Sequence, residues 1–327
     1  MFTKPLANTT ALFITPNYEK RYNIGNHHFK EELGRRFGNT VFYGPGYKWY
    51  NDKRQLEEVV KKFDPDVLLL MFPTRMIERR EPLALLKYQN FVGPKIIFDT
   101  DAQSSIWPRC KFINKIDADC LFLGNNYQYI NDHKKLLDVN CDVYWSPFGV
   151  NENYFKIIRA KRYRPFGFLG CTNEIWYSDR IHMVAVMKRC FGAKFHFTPS
   201  NRIQRENYVK FLNETNIFVS AGDRAKGFFM KYLEAMACGC MLLSQYTPAF
   251  DRLGFIDGVH LKIYKDFSEM VDLAKYYLLE FDEREKIAEQ GRNFVLRKNT
   301  WKHRVDRILG LLGVAEYEED KYIGRES

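Results

Sequence analysis

The run Lys226-Gly-Phe-Phe-Met-Lys-Tyr-Leu-Glu-Ala-Met-Ala-Cys-Gly-Cys240, continuing through an apolar Met-Leu-Leu to Ser244, constrains the fold more than any other part of the chain. Phe229, Leu233, Met236 and Ala237 recur at helical spacing and define a buried stripe, while Lys231 and Glu234 lie three apart on a neighbouring face. Glu234 is therefore expected at the edge of the packed surface. Gly239 follows the last periodic residue and can take the positive φ that closes a helix. The apolar run after it reads as a parallel strand buried on both faces. A short helix that stops beside such a strand belongs to an open α/β sheet. In these sheets ligands bind beyond the carboxyl ends of the strands, where loops and helix N-termini converge.

The same alternation runs through the chain. Strands are expected at 11–15, 41–43, 67–71, 95–99, 120–123 and 143–145, then at 166–169, 194–197, 217–220, 241–243 and, more weakly patterned, 259–263. Helical stretches such as 52–63 and 127–137 separate most of them. Strands alternating with helices give βαβ units and parallel sheets, and 327 residues are long for one core. The expected fold class is α/β, with two doubly wound, Rossmann-like parallel-sheet domains and a cleft between them. The first domain is expected over 1–150 and the second over 166–299. The charged, nonperiodic Arg159-Ala-Lys-Arg-Tyr-Arg164, closed by Pro165, places a linker at 151–165. A terminal helix is expected at 300–313 and a frayed polar tail at 314–327.

Leu233-Glu-Ala-Met-Ala-Cys-Gly239 resembles the nucleotide-sugar-binding signature of group 1 (family 4-like) glycosyltransferases of the GT-B fold. In that family a glutamate before Ala-Met-Ala-x-Gly holds the donor ribose hydroxyls, and the resemblance gives Glu234 this role. The family's second glutamate, eight positions earlier before a Gly-Phe pair, is replaced here by Lys226, ahead of Gly227 and Phe228. The departure removes the carboxylate expected to touch the transferred sugar. It suits the spore-maturation-protein-like (CgeB-type) branch, whose shorter signature has a basic residue three before the glutamate, where Lys231 stands. Trp145-Ser-Pro-Phe-Gly-Val-Asn151 with Phe155, Phe166-Gly-Phe-Leu-Gly-Cys171 with Tyr177-Ser-Asp-Arg180, and Glu283-Arg-Glu-Lys-Ile-Ala288 with Gly291 and Thr300-Trp-Lys-His-Arg304 extend the likeness in order from about residue 140 to 310. It implies that the terminal helix packs back on the first domain. It also implies transfer of a hexosyl or pentosyl group from a nucleotide-diphosphate donor, a UDP- or GDP-sugar first, with retention of configuration and neither metal nor cofactor.

Such a donor needs cations or N–H groups for its phosphates, a carboxylate for its ribose and a slot for its base. Arg180, beyond the Gly170 loop, and Arg224, Lys226, Gly227 and Lys231, around the loop after 217–220, are the candidates for the phosphates. Thr198, in a Phe-Thr-Pro turn, is a candidate for the base. Cations there would offset charge on the departing diphosphate. The competing expectation is that Arg180 and Lys231 only solvate a helix face. In the first domain, Gly25 would let backbone approach a ligand, and His27 or His28 would serve the acceptor as hydrogen-bond partner or base. Asp99 and Asp101 follow an apolar strand and so reach a strand-end crevice, although Asp101 also suits a helix cap.

The formal charge of +10 and pI near 9.1 favour an anionic partner: a polysaccharide, a lipid phosphate at a membrane surface, or nucleic acid. Glycan or glycolipid synthesis is the first expectation for the acceptor. DNA bearing a hydroxylated base is the alternative, and a noncatalytic nucleotide-sugar or nucleic-acid binding protein is the second. A mean hydropathy of −0.41 with 46% hydrophobic residues reads as globular. Residues 11–15 are too short for a signal-peptide core and no apolar run approaches about 20 residues, so the cytoplasm is the expected location. Seven scattered cysteines read as reduced thiols, and Cys238-x-Cys240 lacks the second pair that a zinc site requires.

Overall fold

The computed structural model describes every residue except 1, 18, 20–23, 51–55, 72–90, 101–105, 125–138, 200–202, 204, 224–225 and 315–327. The expected helix at 127–137, the tail, Asp101 and Arg224 lie outside the described residues. The chain forms two compact units, the first made of residues 1–20, 26–147 and 304–317 and the second of residues 21–25, 148–303 and 318–327.

The first unit carries β1 (Thr10–Ile14), α1 (Gly25–Gly34), β2 (Asn39–Tyr43), α2 (Leu56–Phe63), β3 (Val67–Met71), β4 (Lys95–Asp99), α3 (Ile106–Ile116), β5 (Cys120–Leu123) and β6 (Asp142–Trp145). Its strands are all parallel and ordered β2-β1-β3-β4-β5-β6. Every residue of β3 and β4 is buried, as the continuous apolar run of β3 in a parallel sheet requires; in β4 the burial extends to the terminal Lys95 and Asp99. Leu12, Ile14, Leu68, Leu70, Ile97, Leu121 and Leu123 pack on one face with Val59 of α2 and Ile113 and Ile116 of α3. The other face carries aromatic rings: Phe98 stacks on Phe122 at 5.1 Å and meets Phe29 of α1 edge-on at 5.2 Å. Each such buried side chain contributes about 1.5–3 kcal/mol.

The second unit continues with β7 (Arg164–Gly170), α4 (Glu174–Phe191), β8 (Phe195–Pro199), α5 (Arg205–Asn213), β9 (Thr215–Ser220), α6 (Met230–Ala237), β10 (Met241–Gln245), α7 (Pro248–Arg252), β11 (Lys262–Tyr264), α8 (Phe267–Leu279), α9 (Phe281–Lys298) and α10 (Trp301–Leu311). From residue 304 onward α10 belongs to the first unit, where Asp306 pairs with Arg36 at 2.8 Å and Arg307 donates to the Trp145 carbonyl at 2.6 Å. The second sheet is also all parallel, ordered β11-β10-β9-β7-β8. β7 and β9 are neighbours in space although β8 lies between them in sequence, so the order reverses there. This is the topological switch point at which open sheets hold ligands.

Most strands fall where the alternation places them; several ends shift, three of them for visible reasons. β11 is confined to Lys262–Tyr264, because Gly258, at φ +72°, turns the chain and bonds back to the Leu261 carbonyl. Lys194 belongs to a 3₁₀ turn, and β8 begins at Phe195. β7 begins inside the stretch read as linker, because Arg164 pairs with Thr215 in the ladder and its guanidinium meets Glu214 at 3.1 Å.

Candidate functional site

α6 is the centre of the candidate site, and its end is built as its spacing predicts. Gly239 takes φ +82°, its N–H bonds to the Met236 carbonyl at 2.8 Å, and the Cys240 N–H reaches the Ala235 carbonyl at 3.0 Å. These paired bonds satisfy carbonyls that a helix end otherwise leaves open. Arg162 donates to a further one, Cys238 O, at 2.6 Å. A Cβ at Gly239 would stand 2.6 Å from that guanidinium, so the glycine is required by both conformation and space.

Glu234 does not sit at an edge. It is 4% exposed, within a run from Tyr232 to Ala237 that is buried on every side. Helical spacing marks one apolar face, but a helix covered all round buries its polar residues too. Tyr208 of α5, itself buried, donates to Glu234 Oε2. Burial raises the Glu234 pKa to about 7, against the lowering effects of the Tyr208 hydrogen bond and the Lys231 charge. Burial also lowers Lys231 to about 8, helped by the Arg180 charge and opposed by Glu234. The Tyr208 hydroxyl is pushed far above its ordinary value by burial and by the carboxylate beside it.

Arg180 is likewise no solvated helix residue. It is 4% exposed, with its guanidinium centre 4.0 Å from the Tyr177 ring and 4.3 Å from the Phe229 ring. Its Nε donates to the Ala221 carbonyl at 3.2 Å and Nη1 to the Cys171 carbonyl at 3.5 Å. One side chain thus joins the loop after β7 to the loop after β9, across the switch point. α4 bends to permit this: Tyr177, at φ −131° and ψ 41°, leaves helical geometry one turn after Asn173 has capped the Ile175 N–H.

The described residues of the loop after β9 are bound at several points. Tyr264 donates to the Ser220 carbonyl at 2.9 Å, Gln245 accepts from the Gly222 N–H at 2.8 Å, Asp223 accepts from the Gly227 N–H at 2.8 Å, and Thr247 donates to the Lys226 carbonyl at 2.7 Å. Lys226 itself is exposed and held at φ +50°. Gly170 ends β7, and a Cβ there would run into the Phe168 ring, so its bareness serves packing. Thr198 lies in β8 opposite Leu169, at the same carboxyl edge.

The structure therefore groups Arg180, Lys231 and Glu234 electrostatically, and sets Gly170, Lys226, Gly227 and Thr198 on strands and loops of the same sheet edge. Tyr208 was not visible in the sequence, because it lies 26 residues before Glu234 on another helix. Gly25 belongs to the second unit, and a Cβ there would strike Met230 Sδ, so Met230 occupies the room expected for a ligand. In the first unit, α1 already begins at Gly25, which puts His27 and His28 in its first turn rather than in a loop. His28 is buried and His27 half-buried. Asp99 ends β4 and is 3% exposed, its carbonyl accepting from the Gly124 N–H. Of the cysteines, 110, 120, 238 and 240 are buried, 141 is intermediate, and 171 and 190 are exposed. Among the described residues no three potential ligands cluster as a metal site.

Residues 179–310 match the family model described as glycosyl transferase-like. Solved structures match almost the whole chain at low identity. Sucrose-phosphate synthase (tll1590) from Thermosynechococcus elongatus is similar with TM-score 0.65 and 11% identity, over 94% of this chain and 98% of that one. Anabaena Alr3699/HepE, solved in complex with UDP-glucose, is similar with TM-score 0.68 and 10% identity, over 94% and 100%. A glycosyltransferase from Rickettsia africae gives TM-score 0.63 and 11% identity, over 93% and 97%. The two parallel sheets are thus those of GT-B glycosyltransferase structures, and a glycosyl transferase-like domain spans 179–310. No curated protein sequence matches the chain.

Proposed function

We propose that the protein is a glycosyltransferase that uses a nucleoside-diphosphate sugar as donor. The observation that carries this reading is the group of buried Arg180, Glu234 and Tyr208 with half-buried Lys231 in the second unit, inside the segment that matches a glycosyl transferase-like family. A similar structure that holds UDP-glucose supports a UDP-sugar as the first donor to test.

Glu234 accepts hydrogen bonds from the ribose hydroxyls, with Oε2 oriented by Tyr208. Lys231 faces the diphosphate, with Lys226 and the Gly170 and Gly227 backbones nearby; Arg224 is assigned to the phosphates as well, and Thr198 to the base. Arg180 holds the two loops in place and adds positive charge. In the reaction the bond between the anomeric carbon and the diphosphate oxygen breaks as the acceptor oxygen bonds to that carbon. The acceptor proton passes to the leaving diphosphate, whose charge Lys231 offsets. This course retains configuration and needs no metal, because the cations are supplied by side chains. His27, Asp99 and Asp101 are assigned to the acceptor, a glycan or glycolipid hydroxyl. The chain is placed nearest the CgeB-type branch on the strength of Lys231.

A thermal-shift panel of UDP-, GDP-, CMP- and dTDP-sugars tests the reading, since a ligand that binds only the native state raises its stability by mass action. One sugar nucleotide is expected to raise Tm in the wild type and to lose that effect in Glu234→Ala. Unchanged donor binding in the variant would overturn the site assignment. A second reading, a binding protein without turnover, is favoured by Lys226 in place of the family's sugar-contacting glutamate. Donor binding with neither transfer nor donor hydrolysis would select it.

A further inference from the structure

Residues 156–164 read Lys-Ile-Ile-Arg-Ala-Lys-Arg-Tyr-Arg, with five cations and no acid. Two of the cations turn inward: Arg162 bonds to the Cys238 carbonyl and Arg164 to Glu214. Lys156, Arg159 and Lys161 are exposed. So are three large apolar groups, Ile157 at 53%, Ile158 at 37% and Tyr163 at 53%.

Their exposure is enforced by the backbone. Asn213, at the end of α5, accepts from the Ile158 N–H at 2.9 Å and donates to the Lys156 carbonyl at 3.0 Å. The next residue, Glu214, accepts from the N–H groups of Tyr163 and Arg164 through its carbonyl, at 3.1 and 2.9 Å, and from the Tyr163 hydroxyl through its carboxylate at 3.1 Å. Two consecutive residues therefore hold Ile158 and Tyr163 side by side. Lys210, whose side chain is 64% exposed, stands 3.9 Å from the same Glu214 carboxylate and adds another cation to this face.

Single exposed apolar residues are ordinary on a protein surface. Three of them on a pinned segment, ringed by cations, match the chemistry of a bilayer interface, where apolar side chains enter the headgroup region and cations meet lipid phosphates. A soluble polyanion would use the cations and leave the isoleucines in water. No helix among the described residues is long and apolar enough to cross a membrane. We propose that this face of the second unit docks peripherally on an anionic phospholipid surface. It lies at the amino ends of β7 and β9, the opposite edge of that sheet from the two loops that Arg180 joins, so docking leaves those loops uncovered.

Sedimentation of the full chain with vesicles of phosphatidylcholine containing about 30% phosphatidylserine tests this, with pure phosphatidylcholine vesicles beside them. The wild type is expected to bind only the anionic vesicles and to lose about tenfold in partitioning as salt rises from about 0.05 M to about 0.5 M. Ile157→Ser/Ile158→Ser and Arg159→Ser/Lys161→Ser are each expected to weaken partitioning about tenfold, with melting temperatures like the wild type's confirming that both fold. The proposal is overturned if the wild type ignores anionic vesicles, or if the loss is absent from either variant. It is also overturned if a single-stranded oligonucleotide displaces the vesicles from the wild type and from the isoleucine variant alike, because the surface would then be a general polyanion site.

Discussion

Each unit holds one lysine whose pKa is lowered to about 8, and the two lysines have different surroundings. Lys30 of α1 is 1% exposed and donates to the Tyr47 hydroxyl, with its ammonium 4.7 Å from the ring centres of Phe42 and Tyr47 and 4.0 Å from Glu31. Burial lowers it to about 8, against the charges of Glu31 and Glu19. Lys231 is lowered to about 8 as well, but another cation, Arg180, stands beside it and a buried carboxylate opposes it. Aromatic faces and one hydroxyl make a packing site for Lys30. Lys231 instead stands with a second cation and a carboxylate of raised pKa, the kind of charged company that marks a candidate site. Burial of charge alone does not mark function; the company of the charge does.

The sharpest way to break this contrast is Glu234→Gln. Loss of a charge-assisted hydrogen bond of about 1.5–3 kcal/mol predicts a ten- to hundredfold fall in sugar-nucleotide affinity by calorimetry. Affinity within a few-fold of wild type would sink the ribose role. Lys231→Met comes next, with an expected fall of about tenfold in affinity, since it removes one charge-assisted contact to the diphosphate. Unchanged affinity would make Lys231 a second Lys30.

Third in size is the pH dependence of donor binding. Only ionised Glu234 is acceptor on both oxygens, and only protonated Lys231 carries charge, so affinity should peak between about 7 and about 8 and fall on both sides. Tyr208→Phe removes the hydrogen bond that lowers the Glu234 pKa, so the acidic limb should move to higher pH while the alkaline limb stays. A mere packing role for Tyr208 would leave the limb in place.

The smallest effect is expected at Lys30. Both lysines have depressed pKa values, so the unfolded chain binds more protons than the native one between about 8 and 10.5. Stability from this source is complete above 10.5 and is lost as pH falls through about 8. Glu234 has the opposite sign: its contribution is present below 4.5 and is lost as pH rises through about 7. Lys30→Met should flatten the alkaline rise in denaturant stability, change stability near pH 7 by no more than about 1 kcal/mol, and leave donor affinity untouched. A change in donor affinity would show that the two lysines are not independent.

Much of this fold could be read directly because its signals are local. An apolar run such as Val67-Leu-Leu-Leu-Met71 can only satisfy itself as a strand covered on both faces, and Gly239 closes a helix whatever lies around it. The candidate site was legible as far as residue type and position, in Lys231 and Glu234. Periodicity placed Glu234 at an edge because it counts one apolar face, and it has no means of seeing the helices that cover the others. His27 reads as a loop residue because the helix start at Gly25 has no strong sequence signal.

Sequence by itself determined the two parallel sheets, the closing glycine and which charged residues ride on α6, since each follows from the spacing of neighbours along the chain. Tertiary structure alone decided that Glu234 is buried against Tyr208, that Arg180 ties two loops between aromatic rings, and that Asn213 turns two isoleucines outward. Desolvation and hydrogen bonding depend on what folding brings within about 3 Å, and those partners lie 26, 41 and 55 residues apart in the chain.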